Sequence, residues 1–136
     1  MKLLIWYCNN FEYNTTINTI EKYTIKETKC ELSNVLVAFI QAEENDENNL
    51  NSVEKKMVKQ IKWAASKNNT KKILLHSFAH LSESKAKPEF TKELLDKAQK
   101  RIENADYVTS QTPFGYFLNL KMEAPGYSLA RIFKSF

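Results

Sequence analysis

A chain of 136 residues, 43% hydrophobic and 26% charged with a net charge of +4, is long enough for one packed domain and too short for two. That composition excludes a disordered chain, and no apolar run approaches the roughly 20 residues of a membrane span. Two glycines, Gly115 and Gly126, exclude the glycine-rich phosphate loops, which need more.

The excess of 20 Lys and Arg over 16 Asp and Glu suits a polyanionic partner, and equally an ordinary Lys-rich surface. Cys8 and Cys30 form neither a CxxC pair nor a zinc-type spacing with histidine, so reduced thiols in a cytoplasmic protein are the simplest expectation, with a Cys8–Cys30 disulfide as an alternative that nothing requires.

In chain order, residues 2–7 are expected to form a first strand, ending at a polar corner, Cys8-Asn9-Asn10. Residues 11–28 alternate weakly through Tyr13, Ile17, Ile20, Tyr23 and Ile25, which predicts a second, more exposed strand or hairpin. Within Leu32 to Ala42, the β-branched, apolar run Val35-Leu36-Val37-Ala38-Phe39-Ile40 predicts a strand covered on both faces. An acidic stretch from Glu43 to Asn49 lacks calcium-loop spacing and reads as a solvated loop.

Ser52 is the expected N-cap of a helix to about Lys67, with Val53, Met57, Ile61 and Ala65 on one face, flanked by Val58 and Trp63. Its lysines, Lys55, Lys56, Lys59 and Lys62, read as a solvated face or as a phosphate-contacting one. Lys72 to Ser77 is the expected central strand. Pro88 opens a second amphipathic helix that runs to about Asn104 through Phe90, Leu94, Leu95, Ala98 and Ile102. Strands over 106–111, 115–122 and 128–134 complete the pattern. The expectation is one α/β domain over 1–136, with roughly six strands in a mixed sheet and two amphipathic helices packed on it.

Candidate chemistry gathers in two stretches, expected to face each other across a pocket at the sheet's rim: Leu74 to Ser82 and Pro113 to Phe117. His80 follows the central strand, where an imidazole can relay a proton near neutral pH or serve structure alone. Ser82 beside it lacks the elbow of a serine hydrolase. His76, inside the strand, reads as a core or partner-contacting residue. Phe114 and Tyr116 flank Gly115, whose missing side chain would let a ligand approach the backbone while the rings stack a base; a hairpin corner with core aromatics explains the same residues.

Val35 to Ile40, Phe78-Ala79-His80-Leu81-Ser82, Ala86-Lys87-Pro88 and Pro113-Phe114-Gly115-Tyr116 resemble, in that order, the N-terminal editing domain of archaeal threonyl-tRNA synthetases. The resemblance runs from Leu3-Leu4-Ile5 and Glu12-Tyr13 to Gly126 and Leu129-Ala130. It implies a D-aminoacyl-tRNA deacylase-like fold, a homodimer, and hydrolysis of serine wrongly esterified to tRNA(Thr). In that chemistry the 2′-hydroxyl of the terminal adenosine assists an attacking water. No cofactor and no metal are implied; the implied partners are the tRNA(Thr) acceptor end and a synthetase catalytic body.

Carried onto this chain, the resemblance makes His80 and Tyr116 the catalytic candidates. Tyr7, Cys8, Ala79, Ser82, Phe114, Gly115 and Phe117 become substrate-binding candidates. Five positions, at three places in the chain, depart from the family pattern. Tyr7-Cys8-Asn9 replaces His-Ser-Asp, Leu118 occupies the position of a lysine, and Arg131 that of a glutamate. Lys121 lies an odd number of residues from Leu118, on the other side of a strand, and is a poor substitute. Two further readings therefore stand beside editing: a tRNA-binding or dimerisation module of the same fold with weakened or lost chemistry, and a D-aminoacyl-tRNA deacylase, which fits the motifs less well.

Overall fold

The computed structural model describes residues 1–24 and 29–136. Six strands, β1 (Lys2–Asn18), β2 (Lys29–Gln41), β3 (Lys72–Ser77), β4 (Val108–Gln111), β5 (Tyr116–Glu123) and β6 (Arg131–Ser135), form one mixed sheet. The order is β4-β3-β2-β1-β5, with β6 also on β1. β2, β3 and β4 run parallel, while β1 is antiparallel to β2, β5 and β6. Helices α1 (Leu50–Lys67) and α2 (Pro88–Asn104) supply the crossovers that parallel strands require.

Both helices bury their stripes on one face of the sheet. Met57, Ile61 and Ala64 of α1 and Leu94, Ala98 and Ile102 of α2 share a core with Leu3, Ile5, Leu36, Ala38, Ile40, Ile73 and Leu75. The alternate residues of β2, Val35, Val37 and Phe39, pack on the helix-free face with Cys8, Phe11, Tyr13 and Leu74. The apolar run from Val35 to Ile40 is thus buried on both faces, as its composition requires.

The first 18 residues do not divide at Cys8 to Asn10: β1 is one strand, and Asn10 is bridged by Ser33 on one side and Glu123 on the other. Its alternation changes phase between Cys8 and Phe11, opposite Asn34, whose φ of +51° an asparagine tolerates. A polar turn and a polar sheet bend share one composition. Ile25 lies outside the described residues.

α1 begins at Leu50 with Asn49 as its cap residue, so Ser52 lies inside the first turn. Trp63 is 44% exposed rather than flanking the core, and Ala64 takes the buried position. Glu54, fully buried, receives both carboxylate contacts from Arg101 Nε at 2.9 and 2.8 Å, tying α1 to α2. Nor is the acidic stretch simply solvated: Glu44–Asn48 forms a 3-10 turn with Asp46 buried, and Glu43 and Asp46 bind the Met1 amino group. The last three strands start later than expected, and Ser128–Ala130 is a 3-10 turn rather than strand. Among the described residues no helix is long and apolar enough to cross a membrane.

Candidate functional site

β3 ends at Ser77, and the next amide, Phe78 N–H, still donates to Ile40 O at 2.9 Å. Beyond it the chain leaves the sheet, and a single buried side chain holds its course. Gln41, 2% exposed, accepts from the Leu81 and Ser82 amides and donates to Ser82 O and Ser84 O at 2.8 and 2.9 Å. Ala86 N–H donates to Ala42 O, and Lys87 N–H to Glu47 Oε2. The end of β2 therefore positions the whole loop that carries His80.

The facing wall begins where Thr112 N–H donates to Leu75 O at 3.0 Å. Pro113-Phe114-Gly115 then turns the chain into β5. Gly115 has φ +85°, a conformation that side chains rarely adopt, and its carbonyl accepts from Thr19 N–H (2.7 Å) and Thr19 Oγ1 (2.9 Å). A Cβ at Gly115 would stand 3.1 Å from the Ile20 Cβ, so glycine is needed twice over. Asn18 Nδ2 donates to the Tyr116 hydroxyl at 3.3 Å, and Phe114 meets the Tyr23 ring edge-on at 5.0 Å.

Between these walls lies a cavity of about 420 Å³, within the ordinary range for small-ligand sites. Phe78, Ala79 and His80 line one side; Phe114, Gly115, Tyr116, Phe117 and Leu118 line the other. An aromatic ladder runs from core to rim: Phe39 to His76 (4.9 Å), His76 to Phe78 (5.7 Å), Phe78 to His80 (5.0 Å) and His80 to Phe117 (6.3 Å, 27° from parallel). His76 is buried with Nδ1 2.8 Å from Thr112 Oγ1, and burial pushes its pKa down to about 4, so it is neutral at pH 7. The exposed His80 ring stands at the mouth. Lys85 is the one Lys, Arg, Asp or Glu among the described lining residues.

Of the sequence candidates, His80, Tyr116, Ala79, Phe114, Gly115 and Phe117 meet at this cavity, and so does Leu118. Tyr7, Cys8, Ser82 and Arg131 do not line it. Tyr7 packs on the helix-side core, with its hydroxyl 3.3 Å from Asn34 Oδ1. Cys8 is fully buried, and burial raises its pKa to about 11, so its thiol is inert. Ser82 Oγ donates to Glu43 Oε2 at 2.7 Å, which removes it from any partnership with His80. Arg131 donates to Pro125 O at 2.7 Å and lies 5.3 Å over the Trp6 ring. Among the described residues no cluster could hold a metal ion.

Gln41, Lys85 and Thr19 escape a reading of the sequence alone. Gln41 does carry a signal, as an uncharged polar residue extending a run of wholly buried β positions, where burial demands hydrogen-bond partners. Gln41→Leu is expected to destabilise the domain by about 2–3 kcal/mol, because two amides and two carbonyls lose their partners together. Hydrogen exchange at the Leu81 and Ser82 amides should accelerate strongly. Unchanged protection there would show that the loop is ordered by other contacts.

The whole chain, residues 1–136, matches the family model described as the archaea-specific editing domain of threonyl-tRNA synthetase. It is 33% identical over 135 residues to the threonine–tRNA ligase of Pyrococcus horikoshii, and 31% identical over 135 to that of Thermococcus kodakarensis. To the ligase of Nitrosopumilus maritimus it is 34% identical over 133 residues. These alignments cover 96–97% of this chain and 20–22% of the relatives, so the chain spans about a fifth of their length. Among solved structures, the c-Myc DNA Unwinding Element Binding Protein superposes with a TM-score of 0.68 at 11% identity, covering 99% of this chain and 98% of that one. That likeness carries the fold, a six-stranded mixed sheet with two helices of the D-aminoacyl-tRNA deacylase-like type. With its entire length matched, the chain belongs to the archaea-specific family of threonyl-tRNA synthetase editing domains.

Proposed function

We propose that the domain hydrolyses the ester linking serine to the 3′ end of tRNA(Thr), with the ribose 2′-hydroxyl of the terminal adenosine assisting the attacking water. The water oxygen bonds to the ester carbonyl carbon, the bond to the ribose 3′-oxygen breaks, and that oxygen leaves with a proton. His80 and Tyr116 touch the reacting end, and the Ala79 and Gly115 backbones with the Phe114 and Phe117 rings hold the aminoacyl adenosine. One observation carries this reading: a cavity of about 420 Å³ walled by aromatic rings and backbone groups. With Ser82 bound to Glu43 and Cys8 buried, a reaction that recruits its assisting hydroxyl from the substrate suits such a site.

The native assembly on this reading is a homodimer in the cytoplasm, acting on the tRNA acceptor end beside a synthetase catalytic body. The helix-free face supports it: Phe133, 54% exposed, stands there opposite half-buried Leu4, with half-buried Trp6 two residues along the strand. A sedimentation mass equal to the 15.9 kDa of one chain would rule the dimer out.

A second reading, a tRNA-binding module of weakened chemistry, draws on Leu118, which puts an apolar side chain on the cavity wall where the family has lysine. Incubation with Ser-tRNA(Thr) and Thr-tRNA(Thr) separates the two. The editing reading expects selective loss of serine. Serine lost no faster than in buffer, with tRNA still bound in a strongly salt-dependent way, would leave the binding module.

A further inference from the structure

Pro113 and Phe114 wall two cavities, not one. On their other side is a polar cavity of about 550 Å³, bounded by Lys22, Tyr23, Lys92, Asp96, Gln99 and Gln111 among others. We propose that this second cavity holds the penultimate nucleotide of the tRNA 3′ end, a cytidine, while the terminal adenosine occupies the first. The proposal rests on the editing reading, because it needs that adenosine to be next door.

Contiguity is the first argument. Consecutive nucleotides of a single strand occupy neighbouring sites, and the two cavities share one turn. Aromatic stacking and backbone positive charge are what single strands need, and both are present. Phe114 and Tyr23 stand edge to face in the dividing wall, and Lys22 Nζ lies 5.3 Å over the Tyr23 ring. The pairs Lys22–Glu89 (3.1 Å) and Lys92–Asp96 (2.7 Å) are solvent-exposed, so turning either ammonium toward a phosphate costs little.

Hydrogen-bonding chemistry selects the base. Cytosine presents an amino donor beside ring and carbonyl acceptors. The cavity offers the Asp96 carboxylate as acceptor, with lysine ammonium groups as donors. Gln111 Nε2 is committed to Asp96 Oδ1 (2.9 Å) and Gln99 Oε1 (2.7 Å), which fixes the direction of its amide. Its Oε1 is enclosed without a partner among the described residues. Uracil carries an oxygen where cytosine carries that amine, and would meet Asp96 acceptor to acceptor.

Three non-hydrolysable compounds test this on the chain as it stands: 3′-seryl-amido adenosine, and the same compound extended 5′ by a cytidylyl or a uridylyl unit. The cytidylyl compound should bind about tenfold tighter than the nucleoside, and the uridylyl compound should lose most of that gain. Asp96→Ala and Lys92→Ala should each remove the cytidine preference while leaving binding of the nucleoside compound unchanged. Equal affinity for the cytidylyl and uridylyl compounds overturns the subsite, as does a preference that survives both substitutions. If none of the three binds, the editing reading fails and takes the subsite with it.

Discussion

Lowering the pH from 7 to 4 is expected to cost the domain about 3 kcal/mol of stability through His76 alone. The ring is buried between Phe39 and Phe78 and held neutral, its pKa pushed from the ordinary 6.5 down to about 4 by desolvation. The folded pKa lies below the unfolded one, so in that window the unfolded chain takes a proton and the folded chain does not. Stability therefore declines as pH falls through 6.5, at about 1.4 kcal/mol per unit, and the loss is complete near pH 4. Glu43 extends the decline below that range. Burial alone would raise its pKa, but hydrogen bonds from the Met1 amino group, Ser82 and Lys2 outweigh burial and hold it at about 2, so its contribution is lost between 4.5 and 2. Urea unfolding measured at half-unit steps reads the slope directly. His76→Phe keeps a ring in the aromatic ladder and should flatten the curve between pH 6.5 and 4. A variant with the wild-type slope would place the titration elsewhere.

His76 also shows where sequence reading has purchase. An apolar run followed by a polar turn identifies β3 and the rim at which its loop leaves the sheet, because burial on both faces leaves a strand no freedom of composition. The same logic finds β2 and both helix stripes. It fails at Asn9 and Asn10, where a strand bends while remaining paired, since asparagine serves turns, bends and exposed edges alike. Adjacency within the site is legible only in part. Phe78 to His80 and Phe114 to Phe117 meet because each follows a rim position of neighbouring parallel elements, β3 and the end of β4. Lys85 joins them through a loop whose path is set by Gln41, and no periodicity encodes that path. Tyr7 and Cys8 mislead in the other direction. Their match to a family position says nothing of facing, and the structure turns Tyr7 toward the helices and Cys8 into the opposite core.

Leu118→Lys is expected to raise the rate of serine release from Ser-tRNA(Thr) by about 100-fold, the lower end of what one well-placed proton-transfer group contributes. Leu118 is half-buried on the cavity wall within the apolar cluster of the helix-free face. A lysine stem can lie along that same surface while its ammonium reaches the polar mouth near His80, so the substitution should fold. Arg131 is the less promising departure to repair. Its guanidinium is held at Pro125 O and over Trp6, and it does not line the cavity. The gain should fall on kcat with KM little changed, because a group that orients water acts in the transition state. A fall in KM alone would make the new ammonium a phosphate tether instead. Leu118→Met, similar in volume and uncharged, should leave the rate where it was. If the lysine variant and the methionine variant release serine equally slowly, residue 118 does not limit this site, and the expectation fails.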